Sequence, residues 1–262
     1  MPELPDVETF RRYMNATALH RRIERVHVED TSVLEGTTAQ ALGRHLKHRQ
    51  LENTSRRGKY LFAELDEGGA LVLHFGMTGH LEYARHRAPS PDYTVMTIEF
   101  EDDSRLFYVA PRKLGHIAFT ESVEAFIEKH GLGPDALSLE IESFRQLAST
   151  HHGAAKSFLM NQNIISGIGN VYADEVLFQA GIDPGRRIDT LDNEALTEMH
   201  HQLQRVLDAA IAAKADPDAM PDSFLLPHRT DGEQCPRCGG PLKQRRINGR
   251  STYFCPRCQR SE

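Results

Sequence analysis

Two cysteine pairs, Cys235-Pro236-Arg237-Cys238 and Cys255-Pro256-Arg257-Cys258, enclose sixteen residues and hold all four cysteines of the chain. Two thiolate knuckles at that separation close a tetrahedral zinc site, usually around a β-hairpin. Asn248-Gly249 is a good hairpin tip for the span. Two disulfides, or four unrelated thiols, are the alternatives, and a cytosolic chain disfavours the first. The spacing therefore predicts one structural Zn²⁺ held by Cys235, Cys238, Cys255 and Cys258. The segment is too short for a core of its own, so the metal would supply its folding energy. With four protein ligands the site keeps no open position for chemistry.

From Arg237 to Arg260 there are seven basic residues and no acidic ones, on a chain whose formal net charge is −6. That net charge argues mildly against a nucleic-acid partner, but local patches decide binding. The cysteine module then serves to aim Arg250 and its basic neighbours at something anionic.

The 262 residues suffice for two ordinary domains or one large one. No apolar run is long enough to span a bilayer. Met1-Pro2-Glu3-Leu4-Pro5-Asp6 has neither a basic nor an apolar leader region, so a cytoplasmic location and no membrane partner are expected. Pro5, Asp6 and Glu8 suit a helix start, and Val7, Phe10 and Met14 give it an apolar stripe. Strand-like segments follow at Ile23 to Val28, then at 60–65 and 70–75 around Asp66-Glu67-Gly68-Gly69. Two more, 95–100 and 105–109, flank Asp102-Asp103-Ser104, and a last one runs from Ile117 to Phe119. Several short strands at such spacing predict a β-sandwich or barrel. Helical periodicity dominates from Ser143 to Ala213, and Pro217, Pro221 and Pro227 then break it. The expected organisation is α+β and multidomain: a β-rich domain over 1–133, a helical domain over 134–230 and a zinc module over 231–262.

Pro2 is placed to become the N-terminal residue once Met1 is removed. Its amine would then be secondary, with an α-amino pKa of about 7.7–8.0 against about 10.4 for lysine, so much more of it is unprotonated near neutrality. Attack on an aldehydic carbon such as C1′ of deoxyribose gives an iminium, an electron sink that permits elimination of the 3′ phosphate. Glu3 can lie beside it as general acid or base. The bland alternative is a helix start stiffened by Pro2 and Pro5.

The combination of motifs is more specific than any one of them. Pro2-Glu3-Leu4-Pro5-Asp6-Val7-Glu8-Thr9, Arg56-Arg57-Gly58-Lys59-Tyr60-Leu61, His74-Phe75-Gly76-Met77-Thr78-Gly79, Lys156-Ser157-Phe158-Leu159-Met160 and the 167–175 stretch Gly-Ile-Gly-Asn-Val-Tyr-Ala-Asp-Glu, with the cysteine module, occur in this order. Together they resemble the formamidopyrimidine-DNA glycosylase/endonuclease VIII family from residue 2 to about residue 260. The resemblance implies a β-sandwich with an N-terminal helix, a helix–two-turns–helix domain and a zinc ribbon. It implies a monomeric, nucleoid-associated base-excision-repair enzyme that acts on damaged double-stranded DNA. Removal of an oxidised base and β,δ-elimination of the strand would both run through a Pro2 Schiff base.

Residue by residue, Pro2 matches the nucleophile and Glu3 the acid that assists base loss. Lys59 and Arg250 match groups on the lesion phosphates, and Asn170 a phosphate-binding asparagine. His74 and Lys156 match positions near the DNA backbone, where a packed histidine and a helix-surface lysine are the plain alternatives. Met77, Arg112 and Leu114 match side chains that fill the space of an extruded base.

Some features depart from the oxidised-guanine members. Ala110-Pro111-Arg112-Lys113-Leu114-Gly115 lacks their acidic residue, second arginine and phenylalanine, and Pro91 replaces a histidine. His151-His152-Gly153 stands where a basic cluster is expected. The segment from Ala215 to Gln234 is short and proline-rich, without the glycine-threonine stretch that closes over 8-oxoguanine. These bear on substrate choice and leave nucleophile and zinc untouched. A non-catalytic DNA-damage binder on the same scaffold is the competing reading, although a binder has no need of Pro2, Glu3, Lys59 and Arg250 together.

Overall fold

The computed structural model describes residues 1–86 and 88–260. The chain forms two compact units, Met1–Pro2 with Asp6–Gly131, and Glu3–Pro5 with the chain from Leu132 onward.

The first unit contains most of α1 (Leu4–Thr17), then β1 (Ile23–Val28), α2 (Ala39–Leu46), β2 (Leu51–Arg57), β3 (Tyr60–Leu65), β4 (Ala70–His74), β5 (His80–Ala84), β6 (Thr94–Phe100), β7 (Arg105–Val109), β8 (His116–Thr120) and α3 (Val123–Lys129). The strands make two antiparallel four-stranded sheets, ordered β1-β6-β7-β5 and β2-β3-β4-β8. Leu61, Ala63, Leu71 and Leu73 from one sheet share a core with Ile98, Leu106 and Tyr108 from the other and with Val7 and Met14 of α1. Each such side chain contributes roughly 1.5–3 kcal/mol of burial. The other face of β3 and β4, with Phe62, Ala70 and Val72, packs with Ala118 of β8 and Phe126 of α3. Both faces of these strands are therefore covered, which is why they read as continuous apolar runs and not as alternation.

No element is expected from sequence at β2, β5, α2 or α3, and β2 and α2 show why. In β2, only Leu51 and Thr54 are buried and the remainder is polar, as an edge strand permits. Helix α2 is only eight residues long; Thr38 caps it by accepting from the Ala41 amide (3.1 Å), and it buries just Leu42 and Leu46.

The second unit contains α4 (Ile141–Ser149), α5 (Ala155–Met160), α6 (Asn170–Gln179), α7 (Asn193–Ala212) and the hairpin β9 (Lys243–Ile247) and β10 (Arg250–Phe254). Asp192 caps α7 by accepting from the Ala195 amide (2.8 Å). Leu196, Met199, Leu203, Val206 and Ala210 then bury one face of it against Phe144, Phe158 and Val176. Helix α6 is buried from Tyr172 to Gln179 and so has no polar face to reveal its period. Between helices and hairpin, Met220 and Phe224 are packed into the helical core, while Leu225 packs with Phe178, Leu242, Cys235 and Cys255. Asn248-Gly249 closes the hairpin with φ of 47° and 77°, the doubly left-handed turn that suits strand twist, and Arg250 pairs with Ile247. Among the described residues no helix is long and apolar enough to cross a membrane.

Candidate functional site

In the first unit, the residues singled out from sequence gather at two places. The first is the β2–β3 turn. Arg56 Nη1 donates to the Gly58 carbonyl (2.9 Å), and Arg56 also faces the buried Glu8 carboxylate (3.5 Å), which pairs with Arg11 and Arg12 (2.8 and 2.9 Å). Burial opposes ionisation of Glu8, but the Arg11 and Arg12 hydrogen bonds and the Arg11 and Arg56 charges hold its pKa down at about 2. This cluster shapes the two-residue turn that presents Lys59, which is half-buried.

Beside it, His74 pairs across the ladders with Tyr60 and His116, its ring 4.8 and 5.7 Å from theirs. Burial, then the nearby His116 and Lys59, push its pKa down to about 4. Its Nδ1 is enclosed and has no hydrogen-bond partner among the described residues. Near neutrality this imidazole is uncharged, so toward a phosphate it can offer a hydrogen bond and no charge.

The second place is the end of the β1-β6-β7-β5 sheet. Thr78 Oγ1 accepts from the Arg112 amide (3.4 Å), and a Cβ on Gly76 would lie 2.4 Å from the Leu114 carbonyl group, so the 75–79 and 110–115 segments are in close contact. Met77 and Leu114 are 39% and 49% exposed, and Arg112 is exposed too. Met77 and Leu114 therefore present apolar surface to solvent side by side with an exposed arginine. Met1 is 50% exposed and belongs to none of the buried core clusters, and Pro2 behind it is half-buried.

In the second unit, Glu3 is 1% exposed at the start of α6. Its carboxylate accepts from the amides of Gly169 (2.6 Å), Val171 (2.9 Å) and Tyr172 (3.3 Å). Gly169 has no side chain with which to cap α6, so Glu3 satisfies the free amides at the positive end of the helix dipole. The approach depends on Gly167, whose φ is 118° and whose Cβ would lie 2.6 Å from Leu4. Asn170 opens α6, half-buried, with an enclosed Oδ1 that has no hydrogen-bond partner among the described residues.

Lys156 does not face solvent. It is 1% exposed and pairs with Asp174, which is fully buried (2.7 Å). Its Nζ also donates to the Ser251 carbonyl (3.0 Å) and Thr252 Oγ1 (2.8 Å) on β10. Burial pulls the Lys156 pKa down, and Asp174 works against that. Asp174 also accepts from Arg229 (2.8 Å) and from the Tyr253 amide (3.2 Å). Asp174 and Arg229 were not among the residues expected from sequence. The only hint was the position of Asp174 inside the 167–175 motif. The network fixes β10 directly after Arg250, which is exposed.

The four cysteine Sγ atoms lie within 4.8 Å of one another. A tetrahedral zinc with Zn–S bonds of about 2.3 Å separates its sulfurs by about 3.8 Å. Cys235–Cys258 and Cys238–Cys255 are 3.8 and 3.6 Å apart, so the donor set fits one structural zinc. Of the basic residues in this module, Arg237 and Arg245 lie over the Phe178 and Phe254 rings and serve packing. Lys243, Arg246 and Arg250 remain exposed on the hairpin.

Comparison with known proteins gives three consecutive family matches: the formamidopyrimidine-DNA glycosylase N-terminal domain over residues 1–117, its H2TH domain over 131–219, and the zinc finger found in FPG and IleRS over 232–260. Proteins named formamidopyrimidine-DNA glycosylase from Geobacter metallireducens and Methylococcus capsulatus are 36% and 34% identical, over 99% of this chain and 100% of theirs. Two Lactococcus lactis Fpg structures superpose with a TM-score of 0.88 at 28% identity, covering 98% of this chain and 99% of theirs. One is a complex with N7-benzyl-Fapy-dG DNA, the other with abasic-site DNA.

Proposed function

Because the chain belongs to the formamidopyrimidine-DNA glycosylase family, we propose that it is a bifunctional DNA glycosylase and AP lyase acting on damaged double-stranded DNA. With Met1 removed, the Pro2 nitrogen attacks C1′ of the damaged nucleoside, and the glycosidic bond breaks as the base leaves with a proton. The sugar ring opens to an iminium between Pro2 and C1′. Loss of a C2′ proton expels the 3′ phosphate, and loss of a C4′ proton then expels the 5′ phosphate. Water hydrolyses the remaining iminium and frees Pro2.

The observation that carries this reading is the Glu3 carboxylate. It directly follows the nucleophile and is held by three backbone amides at a helix start. A group fixed in this way is pre-organised to exchange protons with the sugar. Lys59, Asn170 and Arg250 are assigned to phosphates flanking the lesion, and Met77, Arg112 and Leu114 to the gap left by the extruded base. His74 donates a neutral hydrogen bond at most. Lys156 positions β10, and with it Arg250, without touching DNA. Cys235, Cys238, Cys255 and Cys258 hold the zinc, whose contribution is the fold of the ribbon.

The test is borohydride reduction on abasic duplex DNA followed by peptide mapping. The crosslink is expected at residue 2, and Pro2→Gly or retention of Met1, which leaves an amide nitrogen, should abolish it. A crosslink at a lysine with Pro2→Gly fully active overturns the mechanism. Tight binding with neither adduct nor strand scission would favour a damage-binding protein instead.

A further inference from the structure

The sheet end that carries Met77 and Leu114 has a third exposed apolar side chain. Among the described residues five large apolar side chains are exposed, and Tyr93, at 65%, is the most exposed of them. The Tyr93 carbonyl accepts from the Ala110 amide (3.0 Å), so the residue is tied to the start of the 110–115 segment. Strand β7 lies between β6 and β5. Tyr93, just before β6, and Met77, just before β5, therefore flank that segment from opposite sides.

The Tyr93 backbone has a φ of 63°, a left-handed conformation that an aromatic residue adopts only under strain. Glycine or asparagine would sit there more easily. The fold offers the ring nothing in exchange: among the described residues it has no ring or guanidinium partner, and its hydroxyl has no hydrogen bond. A strained, exposed aromatic without an intramolecular partner, beside an exposed arginine and two exposed apolar wedges, points to an external flat partner.

We propose that Tyr93 stacks on a base at the rim of the gap opened by extrusion, and so helps to hold the duplex in its distorted state. The proposal rests on the glycosylase reading above. Stacking of this kind tolerates sequence, because every base offers a π-face. The loss on removing the ring should therefore be similar across sequence contexts.

Tyr93→Gly and Tyr93→Phe separate a DNA contact from a folding role. The probe is a duplex with a tetrahydrofuran abasic analogue and 2-aminopurine next to it. Relief of the left-handed strain should leave the melting temperature of Tyr93→Gly at or above that of the parent protein. Its Kd for the probe should rise roughly 5- to 100-fold, with loss of 2-aminopurine quenching, whereas Tyr93→Phe keeps both. Unchanged binding by Tyr93→Gly, a clear drop in its melting temperature, or equal losses in Gly and Phe would each overturn the proposal. Failure of the parent protein to prefer the abasic over the intact duplex would remove the glycosylase reading as well. A parent that discriminates and a Tyr93→Gly variant that matches it remove the Tyr93 role alone.

Discussion

Residue identity and residue environment part company most clearly at His74 and Lys156. Both are basic types in motifs that suggest phosphate contact, yet one is held neutral and the other is enclosed with a carboxylate. For His74 the folded pKa of about 4 lies below the ordinary 6.5. The unfolded chain therefore binds the extra proton between those values, and stability present above pH 6.5 falls as pH drops toward 4. Urea unfolding should show a loss between pH 7 and pH 4.5 about 2 kcal/mol larger in the parent protein than in His74→Phe. An equal loss in both would show that other groups carry the acid sensitivity. Lys156→Met should destabilise by about 3 kcal/mol, because it leaves Asp174 buried with only part of its compensation. Lys156→Met/Asp174→Leu should recover part of that in a double-mutant cycle read by denaturant unfolding, the remainder being lost because Arg229 and the Tyr253 amide give up their acceptor. A double variant no more stable than the single one would mean that the pair is not the unit that matters.

Elements differ in how plainly they are written. Strands β3, β4, β6 and β7 and helix α7 follow the expected hydrophobic patterns, since each buries a whole face or two. Strand β2 and helix α2 leave little trace in the sequence because an edge strand and a two-turn helix bury only two side chains apiece. Helix α6 shows no period because neighbours enclose it, and its cap comes from Glu3, 166 residues earlier in the chain. The ribbon is the opposite case, with ligands, turn and hairpin all local. Chelation or Cys238→Ser should unfold it and weaken DNA binding steeply, since the metal supplies its folding energy. Arg250→Ala should keep full zinc content and the parent melting temperature while weakening lesion processing, because the substitution leaves the hairpin backbone pairing intact and Arg250 is exposed. Metal analysis beside single-turnover cleavage checks this, and full activity of metal-free protein would contradict it.

For the whole molecule, a net charge of −6 coexists with a local stretch in which Lys243, Arg246 and Arg250 stand exposed and no acidic residue intervenes. Binding should therefore depend on salt through a small number of phosphate contacts. The log–log slope should shrink by about 1 in Arg250→Ala. An unchanged slope would remove that residue from the phosphate set.

Substrate choice also belongs to this scale. The segment between helices and ribbon is anchored by Met220, Phe224 and Leu225, and Glu175 accepts from the Leu225 and Leu226 amides (3.1 and 2.7 Å). So short and pinned a segment is ill suited to fold over a base. Leu114 is also a smaller wedge than phenylalanine, so a stable pair should be harder to open. Modest activity on 8-oxoguanine is expected, with better activity on formamidopyrimidines, oxidised pyrimidines and abasic sites. Single-turnover excision on matched duplexes decides, and 8-oxoguanine opposite cytosine cut at least as fast as every pyrimidine lesion would reverse the expectation.

Six of the eight sandwich strands, the long helix, the zinc ligands and the family are legible in the residue order alone. These depend on contacts between near neighbours, or on spacings that local geometry dictates. Which charges are available is set by the folded arrangement. Whether Glu3 caps a helix, Lys156 is spent on Asp174, His74 is neutral or Tyr93 stands exposed under strain depends on partners far away in the chain, which spacing does not encode.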